Sequence, residues 1–419
     1  MIAVVGGGVT GLAVAWETVQ RGADCIVLEA TERPGGVIRS GEVEGRVVEW
    51  GPQRTRATPA LTHLVHALAL DGEVVTAPAG LDLFVHRDGA LTRVPFSVAS
   101  FLRSDVVSTA AKVRLLLEPL TAGADPTERV ASYFRRKLGD EIYRTLVAPL
   151  YGGLYASDPA DMEVGIALGP LLRELGVDRS LLLALARRGG KVTPAAACSF
   201  REGMQTLTDA LAVALGDRLR LSAPVESLER GRGAWRLRLE DGGKVIEAEH
   251  VVVTAPAPVA GRLLERVAPA EGARVRALRY NPLAIVQLDA DTELHGLGFQ
   301  VAFERPAGLL RGVTFNSSLF GRTNLYTAFL GGALRPEVVD MPEDSLAESA
   351  VSEFRRTTGY EARPLAVGRA WMPAWDVSWR GMGNLSLPEG LHLAGGWWSR
   401  PGLPGRFAEA RRVADAVTG

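Results

Sequence analysis

The sequence predicts an α/β protein, α+β overall. A discontinuous parallel-sheet domain is assembled from distant parts of the chain, around a β-rich domain and a helical lobe. Three observations predict this. An apolar run at residues 2–5 leads directly into glycines 6, 8 and 11, a helical segment and a second apolar run. Two further apolar runs able to complete such a sheet, at 251–253 and 391–394, come far downstream. Between them lie a stretch of helical character, 96–190, and segments that alternate with period two, within 280–332.

The opening segment carries most of the chemistry. Residues 2–5 read as a buried parallel strand because all four are apolar. Gly6, Gly8 and Gly11, within Gly6-Gly7-Gly8-Val9-Thr10-Gly11, have the G-x-G-x-x-G spacing. The first permits a tight turn, the second close approach of a pyrophosphate, the third contact of helix with strand. Residues 12–20 read as the helix whose N-terminus offers N–H groups and positive dipole to the phosphates. Residues 24–28 read as a second strand. Glu29 at its end is placed to accept a hydrogen bond from a ribose 2′-hydroxyl. Glycines alone would mean only a turn; strand, glycines, helix, strand and acid together predict a Rossmann-like dinucleotide site. The charge of Glu29 disfavours a 2′-phosphate. A second pair, Gly35-Gly36, is no part of a minimal NAD site and resembles the second fingerprint of FAD-dependent oxidoreductases. FAD is therefore expected in preference to NAD or NADP.

Composition narrows the remaining classes. A chain of 419 residues, 47% hydrophobic and 23% charged, suits two or three globular domains. The net charge of −1, without a basic block or reader motif, argues against a nucleic-acid partner. Cys25 and Cys198 form no disulfide framework or zinc spacing, which suits a reducing cytoplasm. His63 and His66 share a helix face but lack partner ligands, so no metal is expected. A fingerprint starting at Gly6 leaves no room for a removable signal peptide. No apolar stretch reaches the ~18 residues needed to span a bilayer. No Ser/His/Asp or Cys/His constellation is evident, so no catalytic nucleophile is expected. The cofactor would carry the chemistry and the protein would position the substrate.

Along the chain, residues 1–57 hold the βαβ unit and a short extension at 43–54. Residues 106–117 repeat apolar positions near 3.6, and Asp125-Pro126-Thr127-Glu128 reads as a helix start. Residues 203–215 read as a helix. Residues 235–239 alternate, Asp241-Gly242-Gly243 turns, and 244–248 return. Strands are expected at 251–253, 283–288, 312–315, 324–330 and 391–394, and a closing helix from about Arg406. The parallel strands at the start need further parallel strands to cover both faces. The expected domains are thus 1–57, 195–272 and 365–419 for the cofactor, 58–95 and 273–364 for the substrate, and 96–194 for the lobe.

Several blocks resemble the protoporphyrinogen and coproporphyrinogen III oxidases. They are Glu49-Trp50-Gly51-Pro52, Ala148-Pro149-Leu150-Tyr151-Gly152-Gly153-Leu154-Tyr155-Ala156-Ser157-Asp158-Pro159, Ser199-Phe200-Arg201-Glu202-Gly203-Met204-Gln205-Thr206-Leu207, and the segment 312–332. The resemblance runs nearly end to end. It implies an FAD domain, a β-rich substrate domain and a helical lobe that rests on a membrane. It also implies oxygen-dependent oxidation of a porphyrinogen, a tetrapyrrole, to a porphyrin with release of hydrogen peroxide, in haem biosynthesis. By position it implies FAD contacts at Gly6, Gly7, Gly8, Val9, Thr10, Gly11, Glu29, Arg33, Gly36, Val37, Gly51, Pro52, Gln53, Arg54, Val225, Pro401, Gly402 and Leu403. It places Phe329 against the macrocycle and the Gly153 carbonyl near it. The absence of a cysteine after Cys198 implies noncovalent FAD.

The chain departs from that family in two places. The ending G-V-G-V-x-D-C-I is here Arg400-Pro401-Gly402-Leu403-Pro404-Gly405-Arg406-Phe407, and both prolines lack an N–H. Leu83 stands where an arginine often pairs with a substrate propionate. Arg87, Arg93, Arg311, Arg322 and Arg400 remain as cations. Arg311 and Arg322, which flank the block at 312–320, are the preferred substitutes. Leu102, Val106, Val107, Leu115, Leu116 and Leu117 would supply apolar surface for peripheral membrane contact. Two other readings stay open. One is another amine-oxidase-like flavin oxidoreductase, such as a carotenoid desaturase. The other is a non-catalytic flavin-binding tetrapyrrole carrier.

Overall fold

A computed structural model describes residues 1–419 apart from 88, 188, 190–194, 241, 242, 302–307 and 400, with backbone only at 151, 152 and 154. Asp241 and Gly242 of the expected turn, and Arg400, lie outside the described residues.

The cofactor domain is built on five parallel strands. Their order is Leu219–Arg220, β2 (Cys25–Leu28), β1 (Ile2–Val5), His250–Val253 and Leu391–Leu393. The two distant apolar runs do complete the sheet. Alternate residues serve separate cores, as the pleat requires. Ile2, Val4, Val27 and Val252 pack under α1 (Val9–Gln20) and the helices Gln205–Leu215 and Leu403–Thr418. Ala3, Val5, Leu28, Val251 and Val253 face the opposite way. They pack on the antiparallel strands Val225–Arg230, Trp235–Leu239 and Val245–Ala248 and on the helix Ala257–Leu264. Burial of each such Val or Leu contributes about 1.5–3 kcal/mol, so neither face can be left open.

The second domain is a seven-stranded sheet. Its order is Arg363–Pro373, Tyr280–Asp289, Leu325–Gly331, Leu310–Phe315, Gly298–Val301, Leu83–Arg87 and Ala90–Arg93. The helix Glu343–Thr358 covers one face through Leu346, Ala350 and Phe354. Arg363–Pro373 pairs along its length with Tyr280–Asp289. The chain therefore returns to the cofactor domain after Pro373, not at 365.

From 96 to 187 the described residues form short helices and no named strand. The expected helix over 106–117 is shorter, Thr109–Leu115. Ser108 caps it by accepting the Ala111 N–H, and Val106 and Val107 are buried ahead of it. Asp125 does not start a helix. Its Oδ1 accepts the Thr127 N–H and hydroxyl, closing a turn, and the helix begins at Val130. One fully buried ion pair holds the lobe: Lys137 Nζ lies 2.7 Å from Glu118, which also accepts the Leu181 N–H at 2.9 Å.

The closing helix starts at Leu403, three residues before the expected point. Gly402, at φ +88°, turns the chain into it. Pro404 sits in the first turn, where a missing N–H costs no intrahelical bond.

Candidate active site

The fingerprint glycines have different neighbours. Gly6 has φ +111°, and a Cβ there would lie 2.8 Å from Thr254 Oγ1. A Cβ on Gly11 would lie 1.9 Å from the Gly6 carbonyl oxygen, so α1 meets β1 backbone on backbone. Gly7 packs on Glu29, and its N–H donates to Glu29 Oε2 at 2.6 Å. Gly8 is the open position: a Cβ there would meet only the Gly36 Cα, at 3.9 Å. Gly8 is also the N-cap of α1 and has no side chain to cap the first turn of Val9, Thr10 and Gly11. An uncapped helix N-terminus beside open space is suited to a pyrophosphate.

Glu29 is buried at the end of β2. Its Oε1 accepts the Thr31 N–H and hydroxyl at 2.9 and 2.8 Å. The carboxylate is thus oriented in advance and keeps acceptor capacity for a ribose hydroxyl. Gly35 donates its N–H to the Gly7 carbonyl at 2.8 Å, bringing the second glycine pair over the first. Arg33 directs its guanidinium to the carbonyls of Pro34, Gly36 and Ile38, bracing that turn. Val37 is 69% exposed, and its carbonyl presses on Gly51, where a Cβ would lie 2.0 Å away. Pro52, Gln53 and Arg54 continue this wall. Burial, with Arg56 nearby, pulls the Arg54 guanidinium down to about 10. Its Nη1 is buried with no acceptor among the described residues. A guanidinium still charged at neutral pH and lacking an acceptor fits an anionic or carbonyl-bearing group.

Val225 follows Ala223, whose N–H donates to the Glu29 carbonyl at 2.8 Å. At the opposite edge of the sheet, Pro401, Gly402 and Leu403 lead into the last helix. Arg406 from that helix donates to the carbonyls of Gly395, Gly396 and Ser399 at 2.8–3.0 Å, fixing the loop after the Leu391–Leu393 strand. Sequence reasoning missed Arg406; its signal was an arginine in the first turn of the closing helix, next to the buried Phe407.

The second domain turns one sheet face toward this edge and toward the lobe. Cross-strand register sets Ile285, Phe329, Gly312, Gln300 and Val85 in one row on that face. At the spacing of neighbouring strands the row runs roughly 14 Å from Phe329 to Val85. Gly312 has no side chain, and a Cβ there would lie 2.8 Å from Gln300 Oε1. Gly153, on the helix Ala148–Tyr155, meets the same amide: its Cβ would fall 2.1 Å from Gln300 Oε1. Gln300 thus sits between two glycines, one from the lobe and one from the sheet. The sequence pointed to Gly153 and Phe329 but not to the amide that joins them.

Where this face meets the cofactor domain, its polar groups are buried. Thr327 Oγ1 lies 3.0 Å from Gln53 Oε1 and 2.7 Å from Gln287 Oε1, and accepts from Asn316 Nδ2 at 2.8 Å. Gln287 donates to the Glu49 carbonyl at 2.8 Å. Sequence reasoning missed Gln287 and Thr327; their signal is a polar residue breaking an otherwise apolar strand.

The two preferred propionate partners are directed inward, which corrects the expectation for both. Arg311 sits at a bulge between Leu310 and Gly312 and donates to the carbonyls of Leu309 and Gly308. Burial pulls it down to about 10 against the opposing field of Glu353. Arg322 is 9% exposed and pairs with Glu49 at 3.3 Å. Burial raises the Glu49 carboxyl, and Arg322, Ser40 and the Met204 N–H oppose that rise. Both arginines are buried among protein groups. Among the described residues no group of His, Cys, Asp or Glu is placed to hold a metal ion.

An open dinucleotide cradle beside an apolar and amide-lined sheet defines a flavin-dependent oxidoreductase, in which the cofactor carries the chemistry. The chain belongs to the family of flavin containing amine oxidoreductases, whose model matches residues 9–418. Its cofactor is FAD, and the open Gly8, oriented Glu29 and unsatisfied Arg54 fit that group. Among its relatives are the chloroplastic protoporphyrinogen oxidase of Nicotiana tabacum, 28% identical over 474 residues, covering 99% of this chain and 85% of that one. Another is the coproporphyrinogen III oxidase of Propionibacterium freudenreichii, 28% identical over 489 residues, covering 99% and 90%. A crystal structure assigned as a protoporphyrinogen oxidase from Exiguobacterium sp. shares the fold, with a TM-score of 0.79 at 22% identity, covering 100% of this chain and 98% of that one.

Proposed function

We propose that the chain oxidises a porphyrinogen, protoporphyrinogen IX or coproporphyrinogen III, to the porphyrin, with O2 as final acceptor and hydrogen peroxide as by-product. The observation that carries this is the row from Ile285 to Val85: a broad face of Phe329, Gly312 and Gln300, closed from the lobe side by Gly153. Such a face suits a large flat ring, and the names of the relatives agree with that substrate class. Bound noncovalently, FAD would supply the acceptor for hydride equivalents and pass them to O2. The residues of this chain bind and orient: Phe329 offers an apolar wall, Gln300 an amide, and the buried cluster of Gln53, Gln287, Asn316 and Thr327 fixes the wall against the cofactor domain. No lysine follows Lys244 and no cysteine follows Cys198, which disfavours an amine oxidase. The test is anaerobic mixing of the yellow protein with each porphyrinogen, followed by air. Flavin bleaching, then peroxide and porphyrin fluorescence, is expected; flavin left oxidised by both porphyrinogens overturns the proposal.

We also propose that the lobe touches a membrane surface without crossing it. Among the described residues no helix is long and apolar enough to cross. Leu102, Leu116, Leu117 and Leu120 are exposed, Leu120 by 74%, close in sequence to Arg103, Lys112 and Arg114. Of the expected surface residues, Val106 and Val107 are buried instead and Leu115 packs beside them. Liposome flotation decides: protein absent from the floating fraction with anionic and neutral vesicles alike overturns membrane contact.

A further inference from the structure

Among the described residues, burial pulls four arginine guanidiniums below their ordinary value: Arg54, Arg311, Arg322 and Arg406. Three of them have protein acceptors. Arg311 donates to the carbonyls of Leu309 and Gly308, with Glu353 nearby. Arg322 pairs with Glu49. Arg406 donates to the carbonyls of Gly395, Gly396 and Ser399. Arg54 is different. Its Nη1 is buried with no acceptor among the described residues, and the charge beside it is the like charge of Arg56. At about 10 it is still a cation throughout the neutral range. A buried cation without a counter-charge is costly, and a buried donor without an acceptor calls for an explanation.

The place of Arg54 in the cradle says which part of a dinucleotide it meets. Glu29 marks the ribose end and Gly8 the pyrophosphate. From Gly8 the wall runs on through Gly36, whose Cα a Cβ on Gly8 would meet at 3.9 Å, to Val37, whose carbonyl presses on Gly51. Gln53 comes two residues later. Its Oε1 lies 3.0 Å from Thr327 Oγ1 and accepts from Asn316 Nδ2 at 3.2 Å. Thr327 and Phe329 share one face of the second sheet, because residues two apart on a strand point the same way. Arg54 therefore follows directly on the point where the cradle joins the sheet, at the end remote from Glu29. A dinucleotide lying from Glu29 across Gly8 brings its second ring system, not its phosphates, to that junction. In FAD that ring is the flavin.

The charge matters because of what reduction does there. When FAD accepts a hydride, two electrons with one proton, the ring gains one negative charge, spread over N1 and the C2 carbonyl. The donor loses that hydride and then an N–H proton to solvent; O2 with one proton later removes the hydride as hydrogen peroxide. A fixed cation favours the charged ring over the neutral one, and contacts that strengthen as charge develops are those that speed a step.

We propose that Arg54 faces the pyrimidine end of the flavin and binds the reduced ring more tightly than the oxidised one, which raises the reduction potential. By linkage, the ratio of the two affinities is the shift in potential. The inference needs FAD but not the porphyrinogen reading, and it stands or falls separately from that reading.

The test uses the holoprotein and two variants. Arg54→Gln keeps an amide donor without the charge, and Arg54→Lys keeps the charge. The reduction potential is read by equilibration with a reference dye. Sulfite, which adds to the oxidised ring and leaves the same negative charge on it, is titrated by flavin absorbance. Arg54→Gln is expected to raise the sulfite Kd at least tenfold. It should lower the ratio of reduced to oxidised FAD affinity by a similar factor, a fall of about 30 mV for a two-electron couple. Release of oxidised FAD on dilution should change less than threefold, and Arg54→Lys should recover most of both losses. Sulfite Kd and potential unchanged in Arg54→Gln overturn the proposal. Oxidised FAD weakened tenfold with the potential unchanged also overturns it, and gives Arg54 to the pyrophosphate instead. Neither outcome touches porphyrinogen turnover, which the anaerobic mixing experiment tests.

Discussion

The two faces of the seven-stranded sheet come from alternate residues of the same strands, and they are chemically opposite. Under the helix Glu343–Thr358 the face is dry and aromatic: Phe299, Phe315, Tyr326 and Phe354 meet in a chain of edge and tilted contacts with centroids 5.4–6.0 Å apart. The other face holds Gln287, Thr327, Gln300 and Gly312, and packs toward the cofactor domain and the lobe. The difference shows how one sheet separates stability from recognition. Apolar packing is non-directional and can be supplied by whichever large side chains fill the space. The polar face depends on named donors and acceptors, each costly if left alone.

That contrast can be tested by breaking each face in turn. Phe354→Ala removes a fully buried ring from the dry face and should cost about 3–5 kcal/mol in denaturant unfolding while leaving the FAD affinity of the folded protein unchanged. A parallel fall in FAD affinity would show that the faces are not independent. Arg322→Met strikes the polar side and leaves Glu49 as an uncompensated buried carboxylate, for a loss of about 3 kcal/mol. Glu49→Gln added to it should restore part.

The same pair has a pH signature. Burial raises the folded Glu49 carboxyl above its ordinary 4.5, so the folded state holds the proton more tightly than the unfolded one. Stability from this group is therefore largest at or below 4.5 and falls as pH rises through the raised folded value. Removing Arg322 removes an opposing charge and should steepen that fall, measured as unfolding free energy across a pH series. Identical slopes in parent and Arg322→Met would show that the pair carries no such coupling.

Smaller effects separate the sheet from the cradle. Glu29→Ala should weaken FAD by one to two decades, about 1.5–3 kcal/mol, with the aromatic face undisturbed. Unchanged affinity in a cofactor titration would remove Glu29 from the ribose. Thr327→Val should cost about 1–3 kcal/mol in unfolding, because Asn316 Nδ2 loses its 2.8 Å acceptor; a neutral result would mean that the amides rearrange around the missing hydroxyl.

The cradle was largely legible in the sequence because its geometry is local. Gly11 is required by the Gly6 carbonyl five residues away, Gly6 and Gly35 by backbone at φ +111° and +101°, and Glu29 sits at the end of the very next strand. The parallel sheet was legible for a related reason: strands buried on both faces need more of their kind, and only two apolar runs were left to supply them. The sheet's open face was not legible. Gln300 acquires its role only when register places it beside Gly312 and a helix brings Gly153, and neither pairing is encoded near Gln300 itself. Arg311 and Arg322 flank a strand block, but flanking position does not reveal which way a long side chain turns. Strand Arg363–Pro373 was assigned across a domain boundary because a half-exposed strand of mixed composition gives no periodic signal.

The first and last helices of the chain lie side by side. Glu17 of α1 and Arg21, which follows it, pair with Arg411 and Asp415 of the helix Leu403–Thr418, and the Leu391–Leu393 strand adds the final edge of the same parallel sheet. The timing of synthesis follows from this. The fingerprint leaves the ribosome well before its supporting helix and edge strand. The second domain and lobe are therefore made while the cradle is still missing two of its walls. A chain interrupted before residue 391 would carry every fingerprint glycine without a finished place to hold a dinucleotide.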